Sequence, residues 1–275
     1  MGSSGAFGGS GGKDANDLRD SIADWLDDHS LSQSADDSRA AEGAPDGQDP
    51  ANDPNRVRPN IDLRSALGIL LRTLGGSGDG PGGIGGGARG GGVGGVRSSG
   101  GAQRSVGRVS RSTGRAGRLA LAYSAGDRQS LAQAGLDYDQ LRALGNPVEI
   151  GFRIIEAAFE TQPDSTIEDS EALEIAATVV EWVLSESTAP TPDEVVRKAI
   201  ESIIVNVVLT EVGHTIRTSG ASQLERQATE GAIRDAAEVW AQQVSLGPTG
   251  ATDREMSTAI ESGIRELGQI FGVDS

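Results

Sequence analysis

The sequence predicts an all-α protein: a helical bundle body preceded by a disordered acidic head and a Gly/Arg-rich linker. Three observations point that way. Four capping boxes, opening at Asn146, Thr191, Ser222 and Thr252, each set a side-chain oxygen three residues ahead of a glutamate. Together such a pair satisfies orphan amides at a helix start. Between the boxes, apolar residues recur at helical rather than alternating spacing. Finally, only 3% of the residues are aromatic and 40 of the 275 are glycine, most of them before residue 120. Part of the chain therefore lacks the means to build a core.

Residues 1–60 are rich in Gly, Ser, Asp and Pro and read as a mostly disordered tail. One amphipathic stretch interrupts it, "DLRDSIADWLDD", where Leu18, Ile22, Trp25 and Leu26 share a helical face. Two readings of that face stand side by side: docking on a partner, or packing on the protein's own body. A second helix is expected over 61–74, in "NIDLRSALGILLRTLG", closed by Gly75 and Gly76. Residues 75–103 read as a Gly-rich tether. Over 104–145 come connecting helices and a small repeat, "RSVGRVS" then "RSTGRAG", which sets Arg104, Arg108, Arg111, Arg115 and Arg118 in one stripe. Its glycines each weaken a helix by up to about 1 kcal/mol relative to alanine, so the segment is expected to order only against an anionic partner.

The bundle domain is expected over 146–275. One helix should run through "IEDSEALEIAATVVEWVLSES" and another through "PDEVVRKAIESIIVNVVLTEVGHTIR". In the latter, Val195, Val196, Ala199, Ile200, Ile203, Ile204, Val207 and Val208 form a broad stripe that places it at the bundle centre. Trp182, Trp240, Phe152, Phe159 and Phe271 are the expected large core residues.

Charge narrows the function classes. The net charge of −16 hides a sign pattern, because residues 80–126 carry seven arginines and no acid between an acidic head and an acidic body. The chain has no cysteine, which removes thiol chemistry and cysteine metal sites and suits a reducing cytoplasm. No apolar run approaches the roughly 20 residues of a membrane span, so no membrane partner is expected.

Candidate chemistry is sparse. In "GGSGGKD" a phosphate-binding loop would need glycine and a hydroxyl where Phe7 and Asp14 stand. Myristoylation needs Ser or Thr where Ala6 stands. His29 falls in the head; His214 follows Glu211 by three residues, a spacing that reads first as a local hydrogen bond. No catalytic residue, metal site or cofactor is assigned. The arginine stripe suits phosphate through the planar guanidinium fork, but without interleaved aromatics it is no single-strand platform. Phosphate contact by its five arginines stands against a solvated linker or an internal contact.

Taken in order, the "MGSS" start with its low-complexity head, the Gly/Arg-rich middle, and a helical body containing "AGLDYDQLRALG" and "LTEVGHTIRTSG" resemble the QatB family of the Qat anti-phage defence systems. The proline–tryptophan segment expected near the start of that family is missing here. The resemblance implies a non-enzymatic, cytoplasmic component that works with a QueC-like enzyme, an ATPase and a TatD-like nuclease. It implies further that the QueC-like enzyme modifies Gly2 with a deazaguanine derivative. Ser3, Ser4 and Gly5 would keep that end slim enough to enter a narrow pocket, and a 60-residue head would give it a reach on the order of 40 Å. The alternative is a nucleic-acid-binding adaptor that uses the arginine stripe.

Overall fold

The computed structural model describes residues 13–40, 61–75, 105–159, 167–245 and 252–273. Within them the chain forms ten α-helices and no strand, as the periodicity predicts. Three of the four capping boxes close in both directions, at Thr191, Ser222 and Thr252. They open α8 (Pro192–Thr218), α9 (Gln223–Gln242) and α10 (Asp253–Ile270). At the fourth, Asn146 accepts from the Val148 amide at 3.0 Å, one residue earlier than a box requires, and α6 (Pro147–Phe159) starts there. Helix α7 (Ile167–Ser185) matches its predicted span to within two residues.

The centre of the bundle is shared. Helix α8 packs on α1, α2, α3, α7, α9 and α10, with Val196, Ile200, Ile204 and Val208 fully enclosed. By length and composition α8 could cross a membrane, contrary to the expectation from apolar runs; here it is a core helix. Val207, expected in the stripe, is only half-buried.

The second central element is α3 (Ser105–Ser124), the helix that carries the arginine repeat. It lies against α6, α7, α8 and α10. Its glycines and small hydroxyl residues are what let it do so. A Cβ on Gly114 would sit 2.8 Å from Ser257 Oγ and 3.0 Å from the Ser257 amide of α10. One on Gly117 would meet Val195 Cγ1 of α8 at 2.8 Å. The expectation that these glycines leave the segment unformed until a partner binds is therefore corrected. Tertiary burial outweighs their low propensity, as it does for most helices in folded proteins.

The head also departs from expectation. Residues 13–40 form one long helix, α1, longer than the predicted amphipathic stretch. Ala15, Leu18, Ile22, Trp25 and Leu26 are buried against α2 (Arg64–Gly75) and α8. Of the two readings of that face, the structure has the protein's own body, and the four residues named as a partner-docking face are core residues. Ile61, Leu63, Leu67 and Leu70 join the same cluster, which runs without a break from Ala15 to Leu267. The expected boundary at residue 146 thus marks no division in packing.

Of the large aromatic residues, Trp240 is buried and stacks on Phe271 at 3.9 Å between centroids. Trp182 and Phe159 are half-buried. Phe152 is a correction: it is 62% exposed on the outer face of α6. The inner face of that helix is filled by Ile150, Gly151, Ile154, Ala157 and Ala158, whose arc leaves no place for it.

Candidate functional site

Three places in the molecule bear on function: the anchor of the amino-terminal segment, the arginine face of α3, and the cleft along α8. Gly2, Ser3, Ser4 and Gly5 lie outside the described residues, as do Arg104 and the tether.

The anchor is α1. Beyond its apolar face, the Arg19 guanidinium donates to the Glu211 carboxylate at 2.9 Å and to the Glu211 carbonyl at 3.2 Å. Glu211 is thereby drawn to another helix rather than to its neighbour. His214 is exposed and makes no bond to it, so the expected local hydrogen bond is replaced by a long-range clamp between α1 and α8. Ala15 is already fully buried, and only ten residues lie between Gly2 and Lys13, the first residue of the clamped helix. Covalent geometry limits that span to at most about 40 Å when fully extended. The segment that carries Gly2 is therefore not a free 60-residue head, and a distance of about 40 Å is its upper limit rather than its average reach.

On α3 the four-and-three spacing places the arginines along one side of the helix, yet only Arg111 is exposed there, while Arg108 and Arg115 are half-buried. Arg118 is largely buried and donates to Ser130 Oγ at 2.7 Å and to Asp127 Oδ2 at 3.3 Å. Asp127 in turn caps α4 (Arg128–Gln133) through the Ser130 amide. Its carboxyl is pulled down to about 2, chiefly by hydrogen bonds from the Ser130 hydroxyl and amide, with Arg118 adding to them. Arg111 bonds the Gly107 carbonyl of its own helix at 2.9 Å, and neither Arg108 nor Arg115 is without a partner. The bonds of Arg111 and Arg118 already use donors that a phosphate would need.

The "AGLDYDQLRALG" segment forms the α4–α5 corner, with α5 spanning Tyr138–Leu144. Asp137 caps α5, and Gly145 closes it at a φ of 64°. Arg128 bridges to Asp139 and lies over the Tyr138 ring at 5.0 Å, while Tyr123 of α3 meets that ring at 5.6 Å. The segment is a brace between α3 and α6.

The cleft runs between α7, α8 and α9 and has a volume of about 540 Å³. Glu171 and Glu174, Lys198 and Glu201, and Arg234 line it. Lys198 is paired to Glu201 at 2.6 Å. Ser202 is buried there and its hydroxyl makes no hydrogen bond. A serine nucleophile needs a base in hydrogen-bond reach, and none meets Ser202. Among the described residues, no three His, Asp or Glu side chains converge on a position that could hold a metal ion.

Sequence reasoning missed the Arg19–Glu211 clamp, Ser202 and the exposed apolar edge of α6. Only the last left a signal, since Val148, Phe152, Ile155 and Phe159 form a second apolar stripe beside the first. No family model, curated protein or solved structure matches the chain.

Proposed function

We propose that this protein is a non-enzymatic component of a Qat-type anti-phage defence system whose Gly2 amine is the substrate of a QueC-like partner. The observation that carries the reading is the join between the Gly/Ser-rich end and a helix clamped to the body. Ala15, Leu18 and Ile22 are buried only a few residues after the glycine run, so the body would hold the end near one place while a partner works on it. The family resemblance supplies the chemistry. An α-amine with pKa near 7.7–8.0 is roughly a fifth to a third neutral at about pH 7.4, whereas a lysine amine near 10.4 is about a hundredfold less so. Once hydrolysis of the Met1–Gly2 bond has removed the methionine, as a small second residue allows, the neutral Gly2 amine attacks the carbonyl of a deazaguanine acyl-adenylate. An amide forms, AMP leaves with the bonding electrons, and the amine's proton passes to solvent.

The test is the intact mass of the chain made with and without the QueC-like enzyme and its precursor. The expected result is a deazaguanine-sized increase confined to the peptide that begins at Gly2. It should be abolished by a bulky residue at position 2 that retains the methionine. An unmodified Gly2 beside an active partner would overturn the proposal.

A further inference from the structure

Among the described residues, large exposed apolar side chains stand in register on the outer side of α6. Val148 is 80% exposed and Phe152 is 62% exposed, and half-buried Ile155 and Phe159 continue the line at helical spacing. Leu173 of α7, 46% exposed, and half-buried Leu184 extend it into the α6–α7 seam, where Gly151 draws the two helices close to Leu184 and Val180. Contiguous apolar surface of this kind on a folded protein marks an interaction site.

The charges beside it decide what fits. One turn away from the stripe, α6 carries exposed Glu149 and Glu156; on the outward side of α7 stand exposed Glu174 and Glu181. Each pair is spaced by seven residues, so both edges of the apolar strip are acidic along its length. Arg153 is the one basic residue of α6, and it is bonded to Glu156 at 3.0 Å; α7 has none. A second copy of the chain would set like charges against each other, and a phosphate-bearing surface would be repelled as well. The chain's own segments are also poor occupants. Residues 160–166, "ETQPDST", which join the two helices, offer Pro163 as their one apolar side chain. The basic 76–104 segment offers only Ile84, Val93 and Val96 among glycines, and ordering glycine is entropically costly.

We infer that the α6–α7 face docks a basic amphipathic helix of another protein, its apolar side on Val148, Phe152 and Leu173 and its lysines or arginines against the two glutamate edges. This is helix-in-groove recognition with acidic rims. It stands apart from the Gly2 reaction, since the face lies on helices that do not pack on α1.

The experiment uses the full chain and a synthetic Leu/Lys amphipathic helix labelled for fluorescence anisotropy, with its Leu/Glu counterpart as the charge-reversed probe. The Leu/Lys helix should bind and the Leu/Glu helix should not. Phe152→Asp, and separately Val148→Glu, should each weaken binding about tenfold or more, as loss of a central apolar anchor does. Changing Glu149, Glu156, Glu174 and Glu181 to glutamine should weaken it and flatten its salt dependence. Leu224→Asp, at an equally exposed leucine on α9, should leave binding unchanged. Both single variants are on the surface, and circular dichroism checks that they fold. Equal affinity in Phe152→Asp and the parent would overturn the inference. So would a parental dimer, seen by light scattering, that Phe152→Asp dissociates. Binding that emerges only when Arg89, Arg97 and Arg104 are changed to serine would assign the face to the chain's own tether and overturn it too.

Discussion

Gly114 and Gly117 set the distance at which α3 meets its neighbours, and they give the sharpest test at the level of single residues. In an isolated helix, alanine would be favoured over glycine by up to about 1 kcal/mol. Here the added Cβ would press on the backbone of Ser257 or on Val195. Gly114→Ala is expected to destabilise the protein by about 1–3 kcal/mol, the usual range for overpacking. At Gly213 in α8 and Gly231 in α9 a methyl group would meet nothing within 4 Å, so alanine there should stabilise by about 0.4–1 kcal/mol. Urea denaturation of the variants separates the two outcomes. Asp127 gives a second test. Its folded carboxyl lies near 2, below its ordinary value of 3.8, so the stabilisation it brings is complete above about pH 4 and is lost as pH falls toward 2. Asp127→Ala should therefore lower the melting temperature at neutral pH and lower it much less in acid.

Among the elements, α1 takes one of the two roles its sequence left open, and α6 turns outward a ring expected in the core. Helix α1, expected in a tail, contributes Leu18, Ile22 and Leu26 to the core, and α2 with the residue before it contributes Leu63, Leu67 and Leu70. A chain that begins at residue 104 would expose the surfaces of α8 and α10 that these helices cover. It should melt lower and bind a hydrophobic dye. Leu18→Ala should cost about 2–5 kcal/mol, as for other fully buried leucines. Helix α6 behaves the opposite way. Phe152→Ser should change stability by no more than about 0.5 kcal/mol, as surface changes do. Trp240→Ala should cost about 3–5 kcal/mol, because that ring is enclosed and stacked on Phe271. Thermal melts of the two aromatic variants check this directly.

Across the whole molecule, a net charge of −16 makes the compact state repel itself. Raising salt from about 0.01 M to 0.15 M shortens the screening length from about 30 Å to 8 Å and should raise the melting temperature. The helices of the body were legible in the sequence because their signals are local. A threonine or serine that reaches its own third amide, and a stripe repeating every three to four residues, need no distant partner to be read. That is why α7 and α8 match their predicted spans so closely, and why α9 and α10 start where their capping boxes place them. The four-and-three spacing of the arginines was legible for the same reason. What those side chains meet was not. Whether Leu18 packs on a partner or on α8, whether Gly114 weakens a helix or admits a neighbour, and whether Phe152 faces in or out depend on contacts between residues far apart in the chain. By itself the sequence determined the helical class, the starts of the capped helices and the chemical character of each face. Only the tertiary structure decided which faces are buried, because burial is a property of pairs of surfaces and a sequence displays them one at a time.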